Sequence, residues 1–122
     1  MDFKELLAYK KSFELAMEIF EISKTFPKEE TYSLTDQIRR SSRSVTANIA
    51  ESYRKRRCTN YFISKLTDSD AENSETNTWL EFSLNCSYIN KETFDRLNIK
   101  SNEIGKLINY MINNPNKFGC KQ

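Results

Sequence analysis

The stretch Thr67-Asp68-Ser69-Asp70-Ala71-Glu72-Asn73-Ser74-Glu75-Thr76-Asn77-Thr78 decides how this chain is read. It contains no large apolar residue and in isolation reads as a loop. Tyr61, Phe62, Ile63 and Leu66 precede it, and Trp79, Leu80, Phe82 and Leu84 follow it. Holding helical register across the gap places Phe62, Leu66, Ser69, Asn73, Thr76 and Leu80 on one stripe. The spacing therefore predicts one long helix from about Asn60 to Cys86 with a polar waist; a break near Asp70 is the alternative.

Outward from that helix, three more periodic segments appear. Upstream, Leu34, Ile38, Val45, Ile49 and Tyr53 mark a helix from about Leu34 to Arg57. Ser33 is its expected cap, and the small residues Ser41, Ser42, Ser44, Ala47, Ala50 and Ser52 suit close packing. Downstream, Asn90 caps a helix from about Lys91 to Asn113, with Phe94, Leu97, Ile104, Leu107, Ile108 and Met111 on its stripe and Asn114-Pro115 as its stop. Residues 115–122 read as a flexible polar tail. The first helix, about Phe3 to Thr25, is stopped by Phe26-Pro27. It carries two stripes. Leu6, Tyr9, Phe13, Ala16, Met17 and Phe20 form one; Ala8, Leu15, Ile19 and Ile22, continuing into Phe26, form the other. Together they span about 220° at 100° per residue, wider than an ordinary surface helix needs. Either this helix is sunk deep in its own bundle or one face meets another subunit. We assign the second stripe, Leu15, Ile19, Ile22 and Phe26, to an oligomer interface. Short connections make neighbours antiparallel, so the expected fold is all-α: an up-down-up-down four-helix bundle over residues 1–114.

Composition narrows the chemistry. The 122 residues include no histidine, two glycines (Gly105 and Gly119) and two prolines. That excludes a Ser-His-Asp triad, His-bearing zinc or di-iron sites and glycine-rich phosphate loops. Cys58, Cys86 and Cys120 show no metal-binding spacing, so no metal or cofactor is expected, and free thiols fit a reducing cytoplasm. The charged N-terminus does not resemble a signal peptide, and no run reaches 18 apolar residues, so no membrane role is expected.

The net charge of +2 hides segregation. Residues 26–58 carry eight Lys/Arg against four Asp/Glu, and residues 59–90 carry one against five. Antiparallel packing about a turn near Cys58 would bring Arg39, Arg40 and Arg43 towards Glu72 and Glu75, with Gln37 close by. A buried carboxylate needs a cationic partner, so at least one of these arginines is expected to pair with Glu75 inside the bundle. Such a group is either a polar site or a register-fixing network. The run Arg54-Lys55-Arg56-Arg57 ends the second helix and exceeds what capping a helix C-terminus requires. Phosphates are its expected partners, with Tyr53 and Tyr61 placed to stack on bases.

Several blocks carry a family resemblance. They are Phe26-Pro27 with Glu29 and Tyr32, Asp36-Gln37-Ile38-Arg39-Arg40, Ser44-Val45, Asn48-Ile49-Ala50-Glu51, Glu75-Thr76, Trp79-Leu80 and Tyr88-Ile89. Over roughly residues 3–112 the chain resembles the four-helix bundle family named for 23S rRNA intervening-sequence proteins. It departs from that family at Ser52 and Ser87, where glycine is usual. The resemblance implies a homopentamer. It also implies kinship with an accessory protein of diversity-generating retroelements, which binds nucleic acid and a reverse transcriptase through a basic surface. It carries over no catalytic residue. Gln37, Arg39, Arg40, Asn48, Glu51 and Glu75 transfer as structural or interface positions. The expectation is a non-enzymatic homo-oligomer that binds RNA or DNA through Arg54, Lys55, Arg56 and Arg57; the alternative is a protein-interaction scaffold with no nucleic-acid role.

Overall fold

A computed structural model of the chain describes residues 2–121. Four helices account for most of it: α1 (Leu7–Ser23), α2 (Leu34–Arg54), α3 (Thr59–Asn85) and α4 (Lys91–Asn113). Short 3-10 turns at Phe3–Glu5, Lys28–Glu30 and Pro115–Phe118 join or flank them. No helix among the described residues is long and apolar enough to cross a membrane.

The polar waist is helical throughout, so α3 runs unbroken. Its stripe Phe62, Leu66, Ser69, Asn73, Thr76, Leu80 and Ser83 is buried along its whole length. Apolar ends dock by the hydrophobic effect, and the middle docks by hydrogen bonds. Ser69 Oγ donates to the Val45 carbonyl at 2.8 Å, and Thr76 Oγ1 donates to Ser41 Oγ at 2.9 Å. Asn73 Nδ2 donates to the Ser101 carbonyl at 3.0 Å, while Ser101 Oγ donates back to Asn73 Oδ1 at 3.1 Å. Asn77 Nδ2 reaches Ser101 Oγ at 2.7 Å. Most of these buried polar groups thus find the partner that burial demands, with Asn77 Oδ1 left without one among the described residues. The void between Ser12, Leu15, Ser42, Val45, Asn73, Thr76 and Ile104 holds no water-sized space. The waist is a packed, hydrogen-bonded set of contacts that fixes register, the second of the two alternatives.

These contacts also fix direction. Val45 meets Ser69 and Ser41 meets Thr76, so α2 and α3 are antiparallel. Ser101 lies by Asn73, and Asn109 lies by Asp70, so α3 and α4 are antiparallel. Thr46 Oγ1 donates to Ser12 Oγ at 2.9 Å and Arg39 Nε to Ser23 Oγ at 2.8 Å, which sets α1 against α2. Glu18 holds both Arg96 and Lys100, and Lys11 holds Glu103, closing α1 onto α4.

The stripe of α1 assigned to an oligomer interface lies inside the chain, while part of the other stripe is exposed. Leu15 and Ile19 are 3% and 0% exposed, inside the chain's own core, and Phe26 is buried with them. Ile22 is half-buried and packs on the same cluster. These four residues are core, not an oligomer interface. Phe13 and Met17, from the stripe expected inside, are 51% and 47% exposed. The cause is a buried line Ala8, Ser12, Leu15, Ile19, Ser23, in which two serines act as core residues. Counting only apolar residues made that face look incomplete. Their small side chains permit close approach, and their hydroxyls accept from α2.

Two further local expectations change and one holds. Ser33 does not cap α2; Glu30 does so instead, accepting from the Leu34 N–H at 3.2 Å and from Ser33 Oγ at 2.6 Å. Asn90 caps α4 as expected, accepting from the Thr93 N–H at 2.8 Å. The C-terminal segment is docked rather than frayed. Phe118 stacks near Phe62 with centroids 6.4 Å apart, Cys120 is 6% exposed, and Thr59 Oγ1 donates to the Lys121 carbonyl at 2.9 Å.

Candidate nucleic-acid interface

Helix α2 ends at Arg54, three residues earlier than its charge pattern suggested. Lys55, Arg56 and Arg57 therefore lie in the turn to α3, not around a helix barrel. Arg56 is fixed in place. Its Nε donates to the Tyr53 carbonyl at 2.7 Å, its Nη1 donates to the Phe118 carbonyl at 3.2 Å, and its guanidinium lies 3.5 Å over the Tyr53 ring. Tyr53 is 6% exposed under this cover, so it cannot stack on a base as expected. Tyr61 remains available at 62% exposure, with Lys55 Nζ 5.4 Å from its centroid.

The turn and the docked C-terminal segment together enclose an open cleft of about 400 Å³. Among the described residues its lining is Tyr53, Arg54, Arg56, Arg57, Gly119 and Lys121, four cations and no acidic side chain. Arg54 and Arg57 are exposed and form no ion pair among the described residues. Gly119 has φ +94°, and a Cβ there would meet Arg56 Nη1 at 2.9 Å. The glycine lets the segment approach the arginine. Lys121 is not legible as a member from the sequence, in which residues 115–122 read as a flexible polar tail.

The other expected residues do not form one network. Arg39 bonds Ser23 and lies 4.8 Å over Phe20. Arg40 pairs with Asp36 at 3.0 Å, one turn away on the surface. Asn48 Nδ2 donates to the Ser44 carbonyl at 2.9 Å. Glu51 pairs with Lys65 at 2.7 Å. Gln37 is exposed and lines a separate groove with Tyr32, Trp79 and Phe82. No arginine reaches Glu75. Burial, then the adjacent Glu72 carboxyl, holds Glu75 above the ordinary carboxyl range. Equidistance from the turn placed the arginines correctly along the axis but not around it: Arg39 and Arg43 face Phe20 of α1.

A second surface feature is apolar. Phe3, Tyr9, Phe13, Ala16, Met17, Arg43, Thr46, Ala47 and Ala50 line a groove of about 360 Å³ between α1 and α2. Among the described residues, no group of three or more His, Cys, Asp or Glu side chains is placed to hold a metal ion.

The family model described as 23S rRNA-intervening sequence protein matches residues 4–110. Among solved structures, the chain is similar to a protein of unknown function from the S23 ribosomal protein family of Bacteroides thetaiotaomicron VPI-5482. The two share 32% sequence identity with a TM-score of 0.78, covering 88% of this chain and 96% of that one. No curated protein matches the sequence.

Proposed function

Because this chain belongs to the 23S rRNA-intervening sequence protein family, we propose that it is a non-enzymatic, homo-oligomeric bundle that binds RNA or DNA as an accessory factor in the cytoplasm. The observation that carries this reading is the cleft of Arg54, Arg56, Arg57 and Lys121, whose lining among the described residues holds no acidic side chain. Uncompensated cations on one corner attract phosphates, and binding releases the counterions condensed on the nucleic acid. The groove between α1 and α2 is the proposed contact between copies, since an apolar patch rimmed by polar residues marks an association surface. In a closed ring of five, as the family resemblance implies, the corner repeats as a positive collar. A reverse transcriptase or another protein is a further partner class for that assembly.

Binding of a labelled oligonucleotide at 50 and 200 mM salt tests the proposal. Affinity falls steeply with salt, and the slope of log K against log salt shrinks by about two when Arg54 and Arg57 are both changed to alanine. Flat binding, micromolar or weaker at low salt, overturns it. The apolar groove favours one second reading, a protein-interaction scaffold without nucleic acid; it predicts assembly by light scattering together with that flat result.

A further inference from the structure

We propose that the cleft between the α2–α3 turn and the C-terminal segment is built for an unpaired strand, with phosphate held by Arg54, Arg57 and Lys121 and a base stacked on Tyr61. This rests on the nucleic-acid reading above and specifies its ligand. The first reason is shape. The cleft is concave and, at about 400 Å³, falls in the size range of sites that take a small molecule. It suits a nucleotide-sized unit, whereas a duplex presents a broad rod.

The second reason is the exposed aromatic. Tyr61 lies in the first turn of α3, close to the basic turn but outside the cleft lining itself, and is 62% exposed. A lysine already hovers over its ring. Bases in a duplex are stacked on one another and offer no free face; only an unpaired base can use such a platform. Tyr110, edge-on to Phe118 of the C-terminal segment, is 47% exposed with Lys117 Nζ 5.4 Å from its centroid, repeating the pairing of aromatic face and ammonium.

The third reason is preorganisation. Arg56 is tied to Tyr53 and Phe118, so it holds the two walls together rather than reaching outward. It is a positioning residue. The exposed Arg54 and Arg57 and the segment's Lys121 are left to meet phosphate. The C-terminal segment is thereby one wall of the site.

Fluorescence anisotropy with the full chain tests this, using a labelled 12-nucleotide oligo-dT and a hairpin duplex of equal phosphate count. The single strand binds at least tenfold more tightly. Arg57→Ala and Lys121→Ala each weaken it several-fold and lower the salt slope by about one. Tyr61→Ala weakens it about 5- to 100-fold, the range of one lost stack, while Tyr61→Phe binds as the parent does. Equal or tighter binding of the duplex overturns the strand assignment and leaves nucleic-acid binding standing. An unchanged Tyr61→Ala or Lys121→Ala variant overturns the site. Failure to bind either probe at low salt overturns the underlying reading instead.

Discussion

Thr76 donates its hydroxyl hydrogen to Ser41 Oγ at 2.9 Å, and both residues are 1% exposed. At this level α2 and α3 touch through hydroxyls where a typical bundle would use leucines. Thr76→Val keeps the shape and removes the donor, so it costs about 1 kcal/mol in urea denaturation. Ser41→Leu overfills a site without spare volume and costs about 1–3 kcal/mol. A gain in stability from the leucine would show that the waist is loosely packed.

The two faces of α1 give opposite mutational outcomes. Ile19→Ala empties a fully buried site and costs about 2–5 kcal/mol. Phe13→Glu and Met17→Lys alter half-exposed positions, so the thermal midpoint of the single chain changes little. Light scattering then shows smaller particles for both variants if the α1–α2 groove joins copies; unchanged mass removes that groove from the assembly.

Ser87 is the one non-glycine residue with positive φ among those described, at +62°. A left-handed conformation strains an L side chain by about 1–2 kcal/mol. Ser87→Gly relieves that strain at some cost in unfolded-chain entropy, and the expected net gain is about 0.5–1 kcal/mol. Thermal unfolding measures it as a rise of a few degrees. Gly119→Ala acts in the opposite sense, since φ is +94° and the new Cβ would press on Arg56. It lowers stability and weakens oligonucleotide binding together.

Two glutamates respond to pH with opposite signs. Hydrogen bonds from Ser33, Tyr88 and the Leu34 amide hold Glu30 below the ordinary carboxyl value of 4.5. Its contribution is therefore present above that value and is lost as pH falls through the lowered one. The bond from Tyr88 Oη, 2.9 Å from Glu30 Oε2, is the main cause that pushes the phenol up to about 12. Glu75 is raised, by burial first and then by Glu72. Its contribution is present below 4.5 and is lost as pH rises through the raised value. Glu30→Gln consequently lowers the melting temperature at pH 7 and Glu75→Gln raises it. The Glu75 difference closes as pH falls below 4.5, and the Glu30 difference shrinks as pH falls through its lowered value. Melting curves at pH 3 and 7 check both signs.

Much of the architecture was legible in the amino-acid order. The Asn90 cap, the Asn113 terminus of α4 and the stripe through Ser69, Asn73 and Thr76 all follow from helical periodicity. The departure from family glycine at Ser87 fell on the residue that adopts positive φ. What stayed hidden depends on the angle about a helix axis. Ser12 and Ser23 count as polar in any apolar tally, yet they complete the buried line of α1, so Leu15 and Ile19 were assigned outward. The same limit misplaced Arg39 and Arg43, which point to Phe20 rather than Glu75. The basic corner was found from its four consecutive cations. Lys121 could not be found, because the contacts that dock its segment, Phe118 with Phe62 and with Arg56, span more than fifty residues.

The hydroxyl-lined middle of α3 bears on how the bundle comes together. Helix nucleation is costly, and residues 67–78 offer no large apolar side chain to recruit a neighbour early. The flanking clusters at Phe62 to Leu66 and Trp79 to Leu84 carry the apolar surface that drives docking, so we expect them to dock before their hydrogen-bonded centre, with the bonds that specify register closing last.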